Sequence, residues 1–191
     1  MESLSEIYKR HSGPGKFNDK GTVHSYIPIY EELFRPYRET AKRVVEIGLF
    51  DGHSLCMWEE YFTKAEVYGI DCDEQPHGGL ADLRPMIAEG SHNILIMDAT
   101  NKKKVSEEFG DTFGRCEFDV VIDDGAHHLE QQLELWAVWG PRLATGGIYV
   151  IEDLQTPEAM EKFRTLGFSI VDSRPVKKRY DDILAVYRKG Q

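Results

Sequence analysis

Short apolar runs alternate with helical patterns along most of this chain, and this alternation limits the possible folds more than any other feature. Five runs rich in β-branched side chains are typical of strands that are covered on both faces: 43–47, 67–70, 93–97, 118–122 and 148–151. The segments between them, 54–62, 80–88, 103–109 and 129–139, have helical periods. The alternation predicts an α/β fold with a doubly wound, Rossmann-like sheet of parallel strands.

The C-terminal part departs from this alternation. Two strand-like runs, 168–171 and 183–187, are joined by a polar connection that leaves no room for a crossover helix. They are expected to pair as an antiparallel hairpin, after a helix over 157–166. The complete sheet is then a mixed sheet of seven strands.

Composition and charge bound the rest of the molecule. Residues 1–24 are rich in turn formers and are expected to form a flexible arm, and residues 25–191 are expected to form one domain. A net charge of -10 argues against nucleic acid and membrane surfaces as partners. The three cysteines lack the paired spacing of a zinc site, and no signal peptide opens the chain, so a cytoplasmic location is expected. A homo-oligomer remains open.

The first strand ends in a glycine loop, Glu46-Ile47-Gly48-Leu49-Phe50-Asp51-Gly52, which leads into a helix. This is the place of a cofactor loop in an open parallel sheet. A dinucleotide site needs G-x-G-x-x-G to seat a pyrophosphate, and Leu49-Phe50 interrupts that pattern. Glu46 would repel a phosphate but can face the amino group of a cationic cofactor, so charge favours S-adenosylmethionine. The other cofactor-binding residues expected here are Gly48, Gly52 and Ser54, which is also the expected helix N-cap.

Two aspartates end the second and third strands. Asp71 lies where a carboxylate accepts the ribose hydroxyls of S-adenosylmethionine or of NAD, and Asp98 lies where a carboxylate meets the adenine amino group. Taken singly, each could be a solvated strand end or a helix cap, and each glycine could be a simple turn. Carboxylates at the ends of the first three strands favour a binding site, because these ends form one edge of the sheet.

A second polar group follows the fourth and fifth strands: Asp123, Asp124 and His127 after one, Glu152 and Asp153 after the other. Neighbouring strands lie about 4.8 Å apart, so these ends can present oxygen ligands to one hard cation. Side-chain alternation sends one of Asp123 and Asp124 towards the cofactor and the other towards a metal or the acceptor. Oxygen ligands favour Mg²⁺, with Ca²⁺ or Mn²⁺ as alternatives.

A cation here would lower the pKa of an acceptor hydroxyl, and His127 could then take the proton. The alternative is that these carboxylates are loop or capping residues and that His127 or His128 caps the following helix. Crowded carboxylates without a cation raise one another's pKa values and cost stability, which favours the cation site.

Four segments occur together and in order: Asp19-Lys20-Gly21-Thr22-x-His24-x-Tyr26, Val45-Glu46-Ile47-Gly48, Ile122-Asp123-Asp124-Gly125-Ala126-His127 and Ile151-Glu152-Asp153-Leu154. With this set, over residues 19–154, the chain resembles the metal-dependent macrolide-sugar O-methyltransferases of the mycinamicin and demethylmacrocin type. It is also similar to the cephalosporin-hydroxylase-like methyltransferases. These are class I methyltransferases, whose parallel strands end in an antiparallel hairpin.

The resemblance implies Mg²⁺ held by Asp124, Glu152 and Asp153, with His127 as the general base. It also implies that the segment from Lys20 to Tyr26 folds over the cofactor. Thr22 and Tyr26 are then cofactor contacts, whereas Lys20 and His24 could equally be solvated loop residues. Ala126 stands where the family usually has serine, and the identity of the substrate is not carried over.

The sequence therefore predicts a Mg²⁺-dependent O-methyltransferase that uses S-adenosylmethionine and acts on a hydroxyl of a small molecule, of sugar, phenol or catechol type. Asp124 and His127 are the predicted catalytic residues. Two alternatives remain open: an NAD-dependent Rossmann-type enzyme, which Asp71 would also suit, and a non-catalytic module that binds S-adenosylmethionine.

Overall fold

The computed structural model describes residues 2–110 and 117–190, and these form a sheet of seven strands in the order β3-β2-β1-β4-β5-β7-β6. The strands β1 to β5 are parallel, and β7 runs antiparallel to both β5 and β6. This confirms the predicted mixed, Rossmann-like sheet with its C-terminal antiparallel pair. The strands are β1 (Arg43–Ile47), β2 (Glu66–Asp71), β3 (Asn93–Ile96), β4 (Phe118–Asp123), β5 (Leu143–Ile151), β6 (Ser169–Asp172) and β7 (Ile183–Arg188).

Helices cover both faces of the sheet. Val44 and Val120 pack with α1, α3 and α4 on one face, while Val45 and Val121 pack with α7, α8 and α9 on the other. Burial on both faces explains why the strand sequences are apolar almost without interruption. The helices in the described residues are α1 (Leu4–Arg10), α2 (Asp19–Thr22), α3 (Tyr26–Phe34), α4 (His53–Tyr61), α5 (Pro76–Gly79), α6 (Arg84–Glu89), α7 (Lys102–Phe109), α8 (Leu129–Trp139), α9 (Pro157–Thr165) and α10 (Arg174–Lys177).

The N-terminal segment differs from the flexible arm expected for residues 1–24. Helix α1 begins with a capping box between Ser3 and Glu6, and it buries Leu4, Ile7 and Tyr8 in the core shared with α3 and α4. These three residues already have helical spacing in the sequence, but the turn formers that follow them hide the pattern. The segment is therefore packed onto the domain, with α2 continuing it towards the strand ends.

Two local predictions are wrong. The N-cap of α4 is Gly52, with a φ of 78°, and the Ser54 hydroxyl donates a hydrogen bond to Glu46 instead of capping the helix. The helix expected over 80–88 begins only at Arg84, as α6, with Pro85 in its first turn, and the separate short helix α5 ends at Gly79, before the expected range.

The connection between β6 and β7 contains the short helix α10, whose Lys177 ammonium donates hydrogen bonds to backbone carbonyls of Gly21, Thr22 and His24. The C-terminal end of α2 is thus held by the C-terminal part of the chain. Cys56 and Cys72 are free thiols, and Cys116 lies outside the described residues. Within the described ranges, no helix is long and apolar enough to span a membrane. The expected cytoplasmic location and the expected lack of a nucleic-acid partner stay predictions.

Candidate active site

A cavity of about 580 Å³ lies between α2 and the carboxyl ends of β1 to β4. Ligands bind at this edge in open α/β sheets. Six of the residues proposed from the sequence line it: Gly48, Ser54, Asp71, Asp98, Asp124 and His127. The other seven do not line the cavity in the described structure: Thr22, Tyr26, Glu46, Gly52, Asp123, Glu152 and Asp153.

Gly48 allows the β1 loop to pass directly against the end of β4. Its φ is 88°, and a Cβ atom at this position would lie 2.1 Å from the carbonyl oxygen of Asp124. Only glycine fits this conformation and this approach. The loop thereby brings the cofactor side of the cavity next to Asp124.

Asp71 and Asp98 stand at the β2–β3 end of the cavity. One Asp71 oxygen accepts the backbone N–H of Leu49 at 2.9 Å, which ties β2 to the β1 loop. One Asp98 oxygen accepts the backbone N–H of Thr100 at 2.9 Å and its hydroxyl at 2.7 Å. Both carboxylates therefore have fixed orientations at the edge of the cavity.

Glu46 is sealed inside the protein, with 0% of its surface exposed. Its two oxygens accept hydrogen bonds from Ser54 Oγ at 2.8 Å and from Trp58 Nε1 at 3.0 Å, and the Lys20 ammonium lies 3.4 Å away. Burial raises the pKa of Glu46 to about 7, although Lys20 opposes this shift. Glu46 thus ties the end of β1 to α4 and is not among the residues that line the cavity.

Lys20 is buried, and its ammonium lies 2.6 Å from Asp124 Oδ2 and 2.6 Å from Glu152 Oε1. Burial alone would lower the pKa of Lys20, but the carboxylates of Asp124, Glu152 and Glu46 together raise it well above its ordinary value. The sequence left open whether Lys20 was a solvated loop residue. The structure instead makes it a cation at the centre of three carboxylates.

Asp124, His127 and Asp153 present ligand atoms that all lie within 4.8 Å of one another. The backbone of Asp153 has a φ of 57°, which is uncommon for a residue with a side chain and often marks a functional site. Burial and the nearby Asp124 raise the pKa of Asp153 to about 8. The two carboxylates are donors that suit a hard divalent cation such as Mg²⁺ or Mn²⁺, whereas imidazole is a ligand more typical of zinc.

Glu152 stands apart from this convergent group. Its Oε1 accepts hydrogen bonds from Lys20 and, at 2.6 Å, from the hydroxyl of Tyr30. Among the described residues, the ligand atoms that converge with Asp124 are those of His127 and Asp153. The structure thus brings together two of the three carboxylates in the expected metal set.

Asp123 and Asp124 point to opposite sides of β4, as the alternation predicts. Asp124 lines the cavity, whereas Asp123 is buried on the other side, with its Oδ2 3.5 Å from the Tyr149 hydroxyl. Burial raises the pKa of Asp123 to about 8. His128 occupies the N-cap position of α8, but within the described structure no side-chain hydrogen bond caps that helix. Neither His127 nor His128 therefore caps α8 through its side chain.

The end of α2 and the residues that follow it contact the candidate metal ligand Asp153 or stabilise α2. The Tyr26 hydroxyl donates a hydrogen bond to Asp153 Oδ1 at 2.6 Å, and buried His24 has its Nδ1 3.3 Å from the same oxygen. Thr22 Oγ1 donates to the backbone carbonyl of Asn18. Tyr26 therefore orients a candidate metal ligand, and Thr22 stabilises α2.

Sequence reasoning missed two residues near this site. Tyr30 donates to Glu152, and Asn18 lines the cavity with a buried side chain. Tyr30 follows Tyr26 at a helical spacing of four, so it shares a helix face with a residue that the sequence did single out. Asn18 immediately precedes the segment from Asp19 to Tyr26, and no motif or periodicity in the sequence singled it out.

Cys56, Glu59 and His92 form a second convergence of possible ligands on the outer side of α4. His92 Nδ1 lies 2.7 Å from Glu59 Oε2. Burial raises the pKa of the Cys56 thiol to about 11, and the negative charge of Glu59 adds to this shift. The thiol stays protonated at neutral pH, and we interpret the His92–Glu59 contact as a structural link between α4 and the start of β3.

Residues 45–154 match the model of a family described as a methyltransferase domain. The chain belongs to this methyltransferase family. It is 34% identical over 163 residues to the 8-demethyl-8-alpha-L-rhamnosyl tetracenomycin-C 2'-O-methyltransferase of Streptomyces olivaceus, covering 82% of this chain and 39% of that protein. It is 34% identical over 160 residues to the mycinamicin VI 2''-O-methyltransferase of Micromonospora griseorubida, covering 80% of this chain and 36% of that protein.

The predicted resemblance to macrolide-sugar O-methyltransferases is therefore confirmed as a similarity, and the chain spans less than two fifths of the length of these relatives. The similarity to the cephalosporin-hydroxylase-like methyltransferases stays a prediction. The fold matches that of a methyltransferase from the mycinamycin biosynthetic pathway, solved with Mg and SAH, with a TM-score of 0.70 and 22% identity over 100% of this chain and 55% of that chain. It also matches an O-methyltransferase family protein from Burkholderia thailandensis, with a TM-score of 0.55 and 11% identity over 85% of this chain and 57% of that chain.

Proposed function

We propose that this chain transfers a methyl group from S-adenosylmethionine to a hydroxyl of a small molecule of the sugar type, with the help of a divalent cation such as Mg²⁺. The observation that carries the proposal is that one cavity is lined both by the Gly48 loop and by Asp124 and His127. Cofactor and acceptor chemistry can therefore meet in one place. The sugar O-methyltransferases among its relatives support this class of acceptor.

The charges around the cavity favour a cationic cofactor. Five aspartates line it: Asp19, Asp71, Asp73, Asp98 and Asp124. A sulfonium is attracted by such a lining, whereas the pyrophosphate of NAD is repelled. The Leu49 N–H, which lies in the loop where a pyrophosphate would need donors, already donates to Asp71. These features support S-adenosylmethionine over NAD.

The convergent carboxylates of Asp124 and Asp153 fit a divalent cation, and we propose that these two aspartates hold it, with Glu152, which shares the Lys20 ammonium with Asp124, adjacent to them. A bound cation supplies Lewis-acid polarisation of the acceptor hydroxyl. The Lys20 ammonium donates a hydrogen bond to Asp124 Oδ2 and so fixes the orientation of this carboxylate. Tyr26 does the same for Asp153 through Oδ1.

His127 is the proposed general base. It lines the cavity, is partly exposed, and has its Nε2 3.7 Å from Asp153 Oδ2. His127 takes the hydroxyl proton while the acceptor oxygen bonds to the methyl carbon and the sulfur–methyl bond breaks. The electron pair of that bond stays on sulfur, so the charges of the transfer balance.

The test is transfer of a labelled methyl group from S-adenosylmethionine into a panel of neutral glycosides and phenols, with Mg²⁺ or with excess EDTA. We expect incorporation that needs the cation and that Asp124→Asn abolishes, while the affinity for S-adenosylhomocysteine changes by less than about fivefold. The matched control is Asp82→Asn, the same substitution at an exposed position outside the cavity. Full activity in EDTA contradicts the metal role, and no incorporation into any hydroxyl acceptor contradicts the proposed reaction.

A further inference from the structure

Asn18 has an unusual environment at the edge of the cavity. It occupies the N-cap position of α2 but makes no side-chain capping bond, although asparagine is one of the residues best suited to capping. The residue lines the cavity, and only 4% of its surface is exposed. Its amide nitrogen lies 3.7 Å from the sulfur of Met57, and its Oδ1 has no hydrogen-bond partner among the described residues.

A buried acceptor without a partner costs free energy, about 1–3 kcal/mol when the desolvation of the group is not compensated. Such costs are retained where a bound molecule supplies the missing donor. Asn18 lines the cavity, so a ligand in the cavity is the nearest source of a donor. The orphaned oxygen therefore points to a ligand that carries an N–H or O–H group.

The position of Asn18 indicates which part of S-adenosylmethionine would lie next to it. Asp71 and Asp98 line the β2–β3 end of the cavity, where the proposed function places the ribose and the adenine. The lining at the other end, next to β1, comes from residues 47–50, from Ser54 and from the segment 17–20. The methionine moiety must occupy this second end, next to Asn18.

The amino group of that moiety needs an acceptor other than Glu46. Glu46 was the sequence-based candidate, but it is completely buried, outside the cavity lining, and already accepts bonds from Ser54 and Trp58. We propose that Asn18 Oδ1 accepts a hydrogen bond from the amino group of the methionine moiety and so positions the sulfonium methyl. Asn18 is a cofactor-positioning residue in this proposal, which rests on the proposed function.

The test is a double-mutant cycle between protein and ligand, measured by calorimetry. The ligands are S-adenosylhomocysteine and an analogue in which hydrogen replaces the amino group, and the proteins are the parent and Asn18→Leu. Leucine has the same number and branching of side-chain heavy atoms as asparagine and lacks the acceptor. We expect the parent to lose about tenfold in affinity with the deaminated analogue, and Asn18→Leu to show a loss of less than about threefold.

Two further variants keep the test decisive. Asn18→Asp retains the acceptor oxygen and is expected to preserve the preference for the ligand with the amino group, including in the case that Asn18→Leu does not fold. Asp19→Asn tests whether the neighbouring carboxylate accepts the bond instead. If Asp19→Asn loses the preference for the ligand with the amino group and Asn18→Leu keeps it, the proposal is overturned. Equal losses in the parent and Asn18→Leu also overturn it. If the parent binds neither ligand, the proposed function itself is wrong.

Discussion

Buried ionisable side chains meet around Lys20, and their contacts explain how an acidic site can exist in a folded chain. The ammonium of Lys20 lies within 3.4 Å of carboxylate oxygens from Glu46, Asp124 and Glu152. A group of buried carboxylates without a cation would raise the pKa values of its members and lower stability. The sequence predicted a metal ion beside Asp124, Glu152 and Asp153, and it did not foresee that Lys20 supplies a positive charge to two of these carboxylates.

The buried state of Glu46 has a consequence for stability against pH. Its pKa is raised from 4.5 to about 7, so between these pH values the folded protein keeps a proton that the unfolded chain has released. The stabilising contribution is complete below pH 4.5 and is lost as the pH rises through about 7. The slope is at most about 1.4 kcal/mol per pH unit.

We therefore predict that the free energy of unfolding of the parent, relative to that of Glu46→Gln, falls as the pH rises through this window. Urea denaturation of both proteins at several pH values measures the difference. Glutamine retains an oxygen that Ser54 or Trp58 can bond, so the variant is a close match in shape. A difference that stays constant or grows with pH contradicts the assignment of a raised pKa to Glu46.

His127 and His128 offer a matched pair for the proposed base. His127 lines the cavity, and His128 is an exposed neighbour outside it. We predict that His127→Ala lowers kcat about 100-fold or more with little change in affinity for S-adenosylhomocysteine, because a general base acts in the transition state. His128→Ala should change kcat by less than about twofold. A loss in His127→Ala of under about tenfold at every pH rules His127 out as the base.

At the scale of elements, the β1 loop and α2 enclose the cofactor side of the cavity. The loop approaches β4 so closely that Gly48 packs on the backbone of Asp124, and α2 is held at its C-terminal end by Lys177. The loop and its place after β1 could be predicted from the sequence, because strand, glycine and helix are consecutive. The packed position of α1 and α2 could not, because it depends on contacts with distant elements.

Glycine can be required by a positive φ or by a close approach of another backbone, and Gly48 and Gly90 allow these two reasons to be tested separately. Both have positive φ values, 88° and 69°, but a Cβ atom at Gly90 would have no neighbour within 4 Å among the described residues. We predict that Gly90→Ala costs about 1 kcal/mol, from its left-handed conformation alone. Gly48→Ala should cost more than about 3 kcal/mol or prevent folding, because backbone atoms cannot move aside. Equal costs, measured by urea denaturation, contradict the close approach of the loop to β4.

At the scale of the whole molecule, the sheet gathers residues that are far apart in the chain. The doubly wound parallel strands, the C-terminal antiparallel pair and the aspartates at the strand ends were predictable from apolar runs and from the geometry of parallel sheets. The partners of these carboxylates were not, since Lys20 and Asp124 are separated by 104 positions and Tyr30 and Glu152 by 122. Periodicity and local motifs carry no information about such pairs. For the same reason, the sequence could not show that Glu46 is buried, outside the cavity lining, with hydrogen bonds from Ser54 and Trp58.

The central claim is that this edge of the sheet binds S-adenosylmethionine and not a dinucleotide. Calorimetric titration of the intact chain with S-adenosylhomocysteine, and separately with NAD⁺, tests it without knowledge of the acceptor. The acidic cavity and the occupied Leu49 N–H predict saturable one-to-one binding of S-adenosylhomocysteine and no binding heat from NAD⁺. Binding of NAD⁺ without binding of S-adenosylhomocysteine would contradict the account.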